Sequence, residues 1–295
     1  MRFCIVSAAD SGYFGLLQGL VLSCRDRPQG RDAHIRVLDL GLDREQLAWL
    51  DTLGVEHTRP EWDFDFPGRD AAPRTFQAQT ARPFLPRYFP GYDVYLWMDA
   101  DTWIQDWGAV DTYVAIAGSE RMAITPEIDR CYSITFDTRH ALERFASYES
   151  VYGAETAKQC GLNPTINSGV FALRGDAPHW ALWAAELGKA LQRTRSFYIE
   201  QFTLNYVIYT AGLPTYFLPA RYNWITWFST PVLKRSSGLY VEPSAPFAPI
   251  GIMHLTGDVK AGERRVRHSD GSEARQTLEY PRNPAQPSAA QPASP

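Results

Sequence analysis

The 295-residue sequence has little of what marks a secreted, membrane-spanning or nucleic-acid-binding chain. Its four cysteines, Cys4, Cys24, Cys131 and Cys160, have no Cys-x-x-Cys spacing and are too sparse for a disulfide framework. They read as reduced, mostly buried thiols, and a zinc site is not expected. No apolar run is long enough to cross a bilayer, and the N-terminus enters a strand-like segment at once, without a basic stretch leading into a long apolar one. A soluble, cytoplasmic protein is the expectation. Excess positive charge is also missing. The 29 Lys and Arg against 33 Asp and Glu give a net charge of −4, which argues against a nucleic-acid backbone as main partner, because that surface needs concentrated positive charge. Any phosphate binding should be local.

What is present is enough apolar material for a large core, 45% of the residues. One catalytic domain is expected over residues 1–280. From about Pro281 the chain is Pro, Ala, Ser and Gln, with little apolar content to offset ordering, so residues 281–295 read as a disordered tail. The first third alternates strand and helix signals. Arg2 to Ser7 is strand-like, Tyr13, Leu16, Leu17, Leu20 and Val21 recur at helical spacing, and His34 to Leu38 is again strand-like. Asp43 with Gln46 makes a helix N-terminal box, and Gly54 can stop that helix before a strand at Val55. Such alternation predicts an α/β fold whose mostly parallel sheet is flanked by helices and carries its carboxyl ends along one rim. Ser7-Ala8-Ala9-Asp10 belongs to that rim.

The organising stretch is Val94-Tyr95-Leu96-Trp97-Met98-Asp99-Ala100-Asp101. After the turn at Pro90-Gly91 its apolar run reads as a buried strand, although periodicity alone does not separate it from a buried helix. Open α/β sheets bind ligands just beyond the carboxyl ends of their strands, and residues two apart on an extended segment point the same way. Asp99 and Asp101 would then face one pocket, where two hard oxygen ligands suit Mg²⁺ or Mn²⁺ and, through it, phosphate. An Asp-x-Asp triplet is weak by itself, and the second one here, Asp63-Phe64-Asp65, reads as a solvated loop.

Beyond the acids, Arg121 to Ile124 reads as a strand, and Thr125 to Asn163 has no regular pattern. Thr165-Ile166-Asn167-Ser168-Gly169 reads as a polar turn opening the strand Val170–Leu173, its glycine permitting close approach. Asp176 and Pro178 start a helix whose Trp180, Trp183, Leu187 and Leu191 share a core-facing stripe. Glu200-Gln201 opens another, with Phe202, Tyr206 and Tyr209 on one stripe. Tyr222, Trp224, Trp227 and Phe228 form an aromatic cluster that fits core packing better than stacking on a sugar face. Arg264, Arg265 and Arg267 read first as a solvated face, with a peripheral membrane contact as the other use of such a cluster.

The order Ala8-Ala9-Asp10 with Tyr13, then Arg82, Asp99-Ala100-Asp101, Asn167-Ser168-Gly169, Glu200-Gln201 with Asn205, and His254-x-x-Gly257-x-x-Lys260 resembles glycosyltransferase family 8. Several short motifs in sequence, from about Arg2 to Lys260, are far more specific than any one. The resemblance implies a GT-A, Rossmann-like fold, a UDP-sugar donor, Mn²⁺ dependence with Mg²⁺ as the other candidate, and transfer with retention of configuration. It also implies roles. Asp99, Asp101 and His254 would ligate the metal. Ala8, Asp10 and Tyr13 would line the uridine pocket, Lys260 and the Gly257 amide would meet the diphosphate, and Arg82, Asn167, Glu200 and Gln201 would hold the transferred sugar, Glu200 and Gln201 as the catalytic pair; Ala100, Ser168 and Gly169 would contribute to donor binding.

Two departures stand out: Lys260 is followed by Ala261-Gly262 where the family usually has Pro-Trp, and Glu200-Gln201 replaces Asp-Gln. Glu200 either positions the sugar or acts as a nucleophile; retention equally allows attack from the leaving-group face. A phosphatase of the haloacid-dehalogenase type would need Thr or Val two residues after the second acid, where Trp103 stands. A catalytically silent nucleotide-sugar or glycan-binding module on the same fold is the other alternative. The acceptor, a glycan, a lipopolysaccharide or another molecule, is not written in these residues.

Overall fold

The computed structural model describes residues 1–257 and 260–281. In chain order its strands are β1 (Phe3–Ala9), β2 (His34–Asp39), β3 (Glu56–Thr58), β4 (Val94–Met98), β5 (Thr102–Ile104), β6 (Met122–Pro126), β7 (Ile166–Arg174), β8 (Thr215–Phe217), β9 (Trp224–Ile225), β10 (Val232–Lys234), β11 (Leu239–Val241), β12 (Ile252–His254), β13 (Glu263–Arg267) and β14 (Glu273–Thr277). Its helices are α1 (Phe14–Arg25), α2 (Arg44–Thr52), α3 (Thr75–Ala81), α4 (Leu85–Tyr88), α5 (Trp107–Gly118), α6 (Thr138–Tyr152), α7 (Ala154–Cys160), α8 (His179–Leu191) and α9 (Ile199–Thr210).

Seven strands form the central sheet, in the order β3-β2-β1-β4-β7-β6-β8. Neighbours are parallel, except that β7 runs against both β4 and β6. The acid-bearing strand is therefore β4, as expected, but it lies between one parallel and one antiparallel partner. Reversal of β7 brings its N-terminal end to the rim where β1 and β4 finish. Alternation along β4 separates two cores: Val94, Leu96 and Met98 pack with α1 and α5, while Tyr95 and Trp97 pack with α3, α8 and α9. Trp180 and Trp183 lie in the second core, as their spacing predicts.

Local chemistry explains the element ends. Asp43 and Gln46 cap α2 reciprocally, each side chain accepting from the other's backbone N–H at 2.9 Å. Gly54, at φ 65°, ends the turn after it. The stretch without a readable pattern holds α6 and α7, against which α9 lays its aromatic stripe; Tyr206 stacks on Tyr152 with ring centroids 4.1 Å apart. A second sheet, β5-β12-β9, sits beside the first, and pairing of His254 with Thr102 fixes that histidine next to the acid turn.

Several expectations are corrected. Asn167, Ser168 and Gly169 lie inside β7 rather than in a turn before it. Asp63 is not solvated: its carboxylate is buried, ion-paired with Arg87 and bonded by the Tyr88 hydroxyl at 2.8 Å. The aromatic cluster divides, with Trp224 fully buried and Trp227 56% exposed. Arg265 and Arg267 do not form a free basic face, since Arg265 pairs with Glu273 and Arg267 bonds the Pro243 carbonyl. Arg264 reaches the Thr226 and Thr256 carbonyls. Of the expected tail, residues 282–295 lie outside the described residues.

A third core, around Trp103 and Trp224, includes the last described segment. Leu278 and Tyr280 are buried in it, and Tyr280 donates to Asp26 at 2.6 Å. Truncation before Leu278 is expected to lower Tm by several degrees, because two core side chains leave together, while truncation directly after Tyr280 should preserve it. Thermal melts of the two truncated proteins check this, and equal Tm values would contradict it.

Candidate active site

The site begins where β4 stops. At Asp99 the chain turns, with Thr102 N–H donating to the Asp99 carbonyl at 3.0 Å. Asp99 and Asp101 therefore converge through a turn, not through the extended i, i+2 geometry their spacing suggests. His254, at the end of β12, is buried beside them with Nε2 3.4 Å from Asp101 Oδ1 and 3.9 Å from Asp99 Oδ2. One ligand atom from each of the three residues lies within 4.8 Å of the others.

The donor set, two carboxylates and an imidazole, fits a divalent cation. The backbone fits it too. A Cβ on Gly169 would lie 2.4 Å from His254 Cε1 and 2.9 Å from Asp99 Oδ2, so only glycine lets the histidine and the carboxylate close on one point.

Behind the acids lies a buried polar cluster centred on Arg82. Its guanidinium donates to Asp99 Oδ1 at 2.5 Å, to Glu200 Oε2 at 2.7 Å and to Ser168 Oγ at 2.9 Å. It also lies over the Trp97 ring, 4.6 Å from the centroid. Ser168 Oγ donates to Glu200 Oε2 at 3.0 Å, and its N–H donates to Gln201 Oε1 at 3.0 Å. Asn205 serves structure, clamping both the N–H and the carbonyl of Ile166 in β7.

One cation thus faces two carboxylates. Burial pushes the Glu200 carboxyl up to about 7; Arg82 opposes this, but it is shared with Asp99, whose own charge adds to the rise. Glu200 Oε1 is buried with no hydrogen-bond partner among the described residues.

On the opposite side, Lys260 Nζ lies 2.7 Å from Asp101 Oδ2 and 3.2 Å from the Tyr13 hydroxyl. Burial opposes its charge, yet Asp101 holds the ammonium's pKa above the ordinary lysine range. Tyr13 and Asp10 follow β1 on the same rim, Asp10 Oδ1 accepting from the Tyr13 N–H at 3.0 Å. Ala8 in β1 is half-buried, and Ala100, between the two acids, is buried. Gly257, at φ 85°, lies under the Trp227 ring, where a Cβ would sit 2.1 Å from a ring carbon.

Sequence reading missed three participants. Trp97 passed as core, but its indole N–H donates to Asp99 Oδ1 at 2.8 Å; its parity with Asp99 on the strand was the available signal. Asn223 hid among aromatics, and its Oδ1 lies 2.9 Å from His254 Nδ1. Glu127, in the stretch without a pattern, accepts from Asn167 Nδ2 at 2.8 Å.

The sheet order, the single reversed strand and the acid turn at the rim define the GT-A fold. No protein-family model matches the chain, and no curated protein sequence matches it. Solved structures do. Galactosyltransferase LgtC in complex with donor and acceptor sugar analogs is similar over 86% of this chain and 87% of its own, at 17% identity and TM-score 0.54. Mouse xyloside xylosyltransferase 1 is similar over 88% and 98%, at 12% identity and TM-score 0.54. The bifunctional glycosyltransferase WbbM is similar over 87% of this chain at 15% identity and TM-score 0.54; the chain spans 46% of WbbM's length. At these identities the likeness is one of fold.

Two outcomes follow from the geometry. Gly169→Ala is expected to weaken divalent-cation binding in calorimetry while leaving the far-UV spectrum intact, because the new methyl separates His254 from Asp99. For Glu200, the pKa raised from 4.5 to about 7 means that the native state holds the proton more tightly than the unfolded one. Stability therefore falls as pH rises from about 4.5 to about 7, by up to about 3 kcal/mol. Denaturation in chelator across that window should show a smaller fall for Glu200→Gln, and identical slopes would contradict the assignment.

Proposed function

We propose that the chain is a glycosyltransferase of family 8 type that moves a hexose from a UDP-sugar to an acceptor with retention of configuration. The observation that carries this reading is the convergence of Asp99, Asp101 and His254, ligand atoms within 4.8 Å, at the carboxyl rim of a GT-A sheet. These three residues would hold Mn²⁺, which when bound neutralises charge growing on the diphosphate leaving group.

The chain's own groups divide the remaining work. Lys260, paired with Asp101 at 2.7 Å, is within reach of the same phosphates and donates to them as the C–O bond breaks. Asp10 accepts from the imide N–H of the base, and Tyr13 offers its 40% exposed ring for stacking. Arg82, Ser168, Glu200 and Gln201 hold one another rigidly around the hexose position, so that its hydroxyls meet fixed donors and acceptors. Glu200 is the positioning acid of this set: Arg82 and Ser168 both bond its Oε2, and its Oε1 is buried. None of the described helices is long and apolar enough to cross a membrane. All four cysteines are free thiols, which supports action in a reducing compartment such as the cytosol.

Incubating the protein with a panel of UDP-sugars and no acceptor, with Mn²⁺ or with chelator, tests the reading. Metal-dependent release of UDP from at least one UDP-hexose is expected. Tight binding without release would establish a silent donor-binding module instead. Asp101→Asn and Asp99→Asn should each lower turnover by roughly 10²-fold, the scale for losing one electrostatic group in the transition state, and full Mn²⁺-dependent activity in both variants would overturn the metal assignment.

A further inference from the structure

A chain of side-chain amides runs behind His254, and its polarity can be read from a fixed end. The backbone N–H of Gly169 donates to one amide atom of Asn167 at 3.0 Å. A backbone N–H can only donate, so that atom is the oxygen. The nitrogen of Asn167 then faces Glu127 Oε1 at 2.8 Å, a carboxylate that accepts. The same Asn167 oxygen takes a second bond, 2.9 Å from Asn223, which must therefore present its nitrogen there. This leaves the Asn223 oxygen turned to His254 Nδ1 at 2.9 Å. An oxygen with no proton can only accept. Nδ1 is the protonated nitrogen, and Nε2 is the one directed at Asp99 and Asp101.

We propose that Asn223, oriented by Asn167 and Glu127, is a positioning residue that holds His254 as the Nδ1–H tautomer and commits Nε2 to the divalent cation. The relay is buried at both joints: Asn223 is fully buried, and Asn167 and His254 are nearly so. Water cannot substitute easily for a lost bond. Without the relay the neutral imidazole would favour Nε2–H, because that nitrogen faces two carboxylate oxygens at 3.4 and 3.9 Å, and the site would then block its own ligand atom. Outer hydrogen bonds of this kind orient a ligating histidine and raise its basicity. Asn167 gains a second duty here, since its oxygen is taken by Gly169 and Asn223 and only one amide hydrogen remains for a sugar hydroxyl.

The inference rests on the metal half of the proposed function, and the test keeps the two apart by using metal alone. Mn²⁺ affinity is measured by electron paramagnetic resonance on wild type and Asn223→Ala, without donor. Asn223→Ala should bind Mn²⁺ roughly 10- to 100-fold more weakly. Nitrogen-15 spectra of the Zn²⁺-loaded wild type, with Zn²⁺ as a diamagnetic stand-in, should show His254 protonated at Nδ1 and bound through Nε2. Unchanged affinity in Asn223→Ala, or zinc on Nδ1, would each overturn the proposal. Wild type that binds Mn²⁺ with this pattern but hydrolyses no UDP-sugar would end the transferase reading and leave the relay standing.

Discussion

The site depends on a single buried guanidinium. Arg82 holds Asp99 on one side and Glu200 on the other, and in a water-poor environment a bonded pair of this kind is disrupted at a cost of about 3–5 kcal/mol when one partner is removed. Two negative groups with one positive group between them are locked in place but not neutralised. The consequences run in both directions: burial, with the Asp99 charge adding to it, pushes Glu200 towards its protonated form, and the Asp99–Asp101 rim is left short of positive charge. Lys260 satisfies part of that demand from the front. A divalent ion with a diphosphate would satisfy it more completely, releasing the lysine to the phosphates.

Arg82 can do this only because of how the sheet is built. It follows α3 directly, on the face of the sheet that β4 presents through Tyr95 and Trp97. Asp99 continues that parity, so the first acid leaves the strand already aimed at the guanidinium. The reversed strand β7 supplies the other half of the cluster. Were β7 parallel, Asn167, Ser168 and Gly169 would lie at the far end of the sheet, some 20–30 Å away at about 3.3 Å per residue. Instead the antiparallel pairing sets Gly169 against Asp99, whose N–H donates to the Gly169 carbonyl at 2.8 Å.

How much of this was legible follows from the range of each interaction. The strands, the α2 capping box and the acid-ended β4 are local patterns, and they stand in the structure where periodicity and capping put them. The ordered motifs resembling family 8 brought together, from distant parts of the chain, Asp99, Asp101, His254, Arg82, Ser168, Glu200 and Lys260, and the structure brings all seven into one cluster. What was illegible depends on direction and partner. Nothing in Asn167-Ser168-Gly169 says that its strand runs backwards, so its polar residues look like a turn. Asp63 looks solvated until Arg87 and Tyr88 arrive from 24 and 25 residues away. Asn223 sits between Tyr222 and Trp224, where an amide carries no pattern, and Glu127 lies in a stretch whose helices pack by aromatic contacts instead of a regular apolar stripe.

The same geometry bears on how retention could be achieved. A carboxylate nucleophile must be ionised and must offer a free oxygen to the anomeric carbon. Glu200 is poorly disposed to both: burial raises its carboxyl to about 7, Arg82 and Ser168 hold Oε2, and Oε1 is buried among side chains. Bringing Oε2 to carbon would mean breaking the guanidinium cluster that also fixes Asp99, and so would loosen the acid end of the site. On the proposed reading, rigidity of that cluster is worth more than the reactivity of one of its members, which favours attack by the acceptor from the leaving-group face with Glu200 and Gln201 as the wall that holds the hexose still.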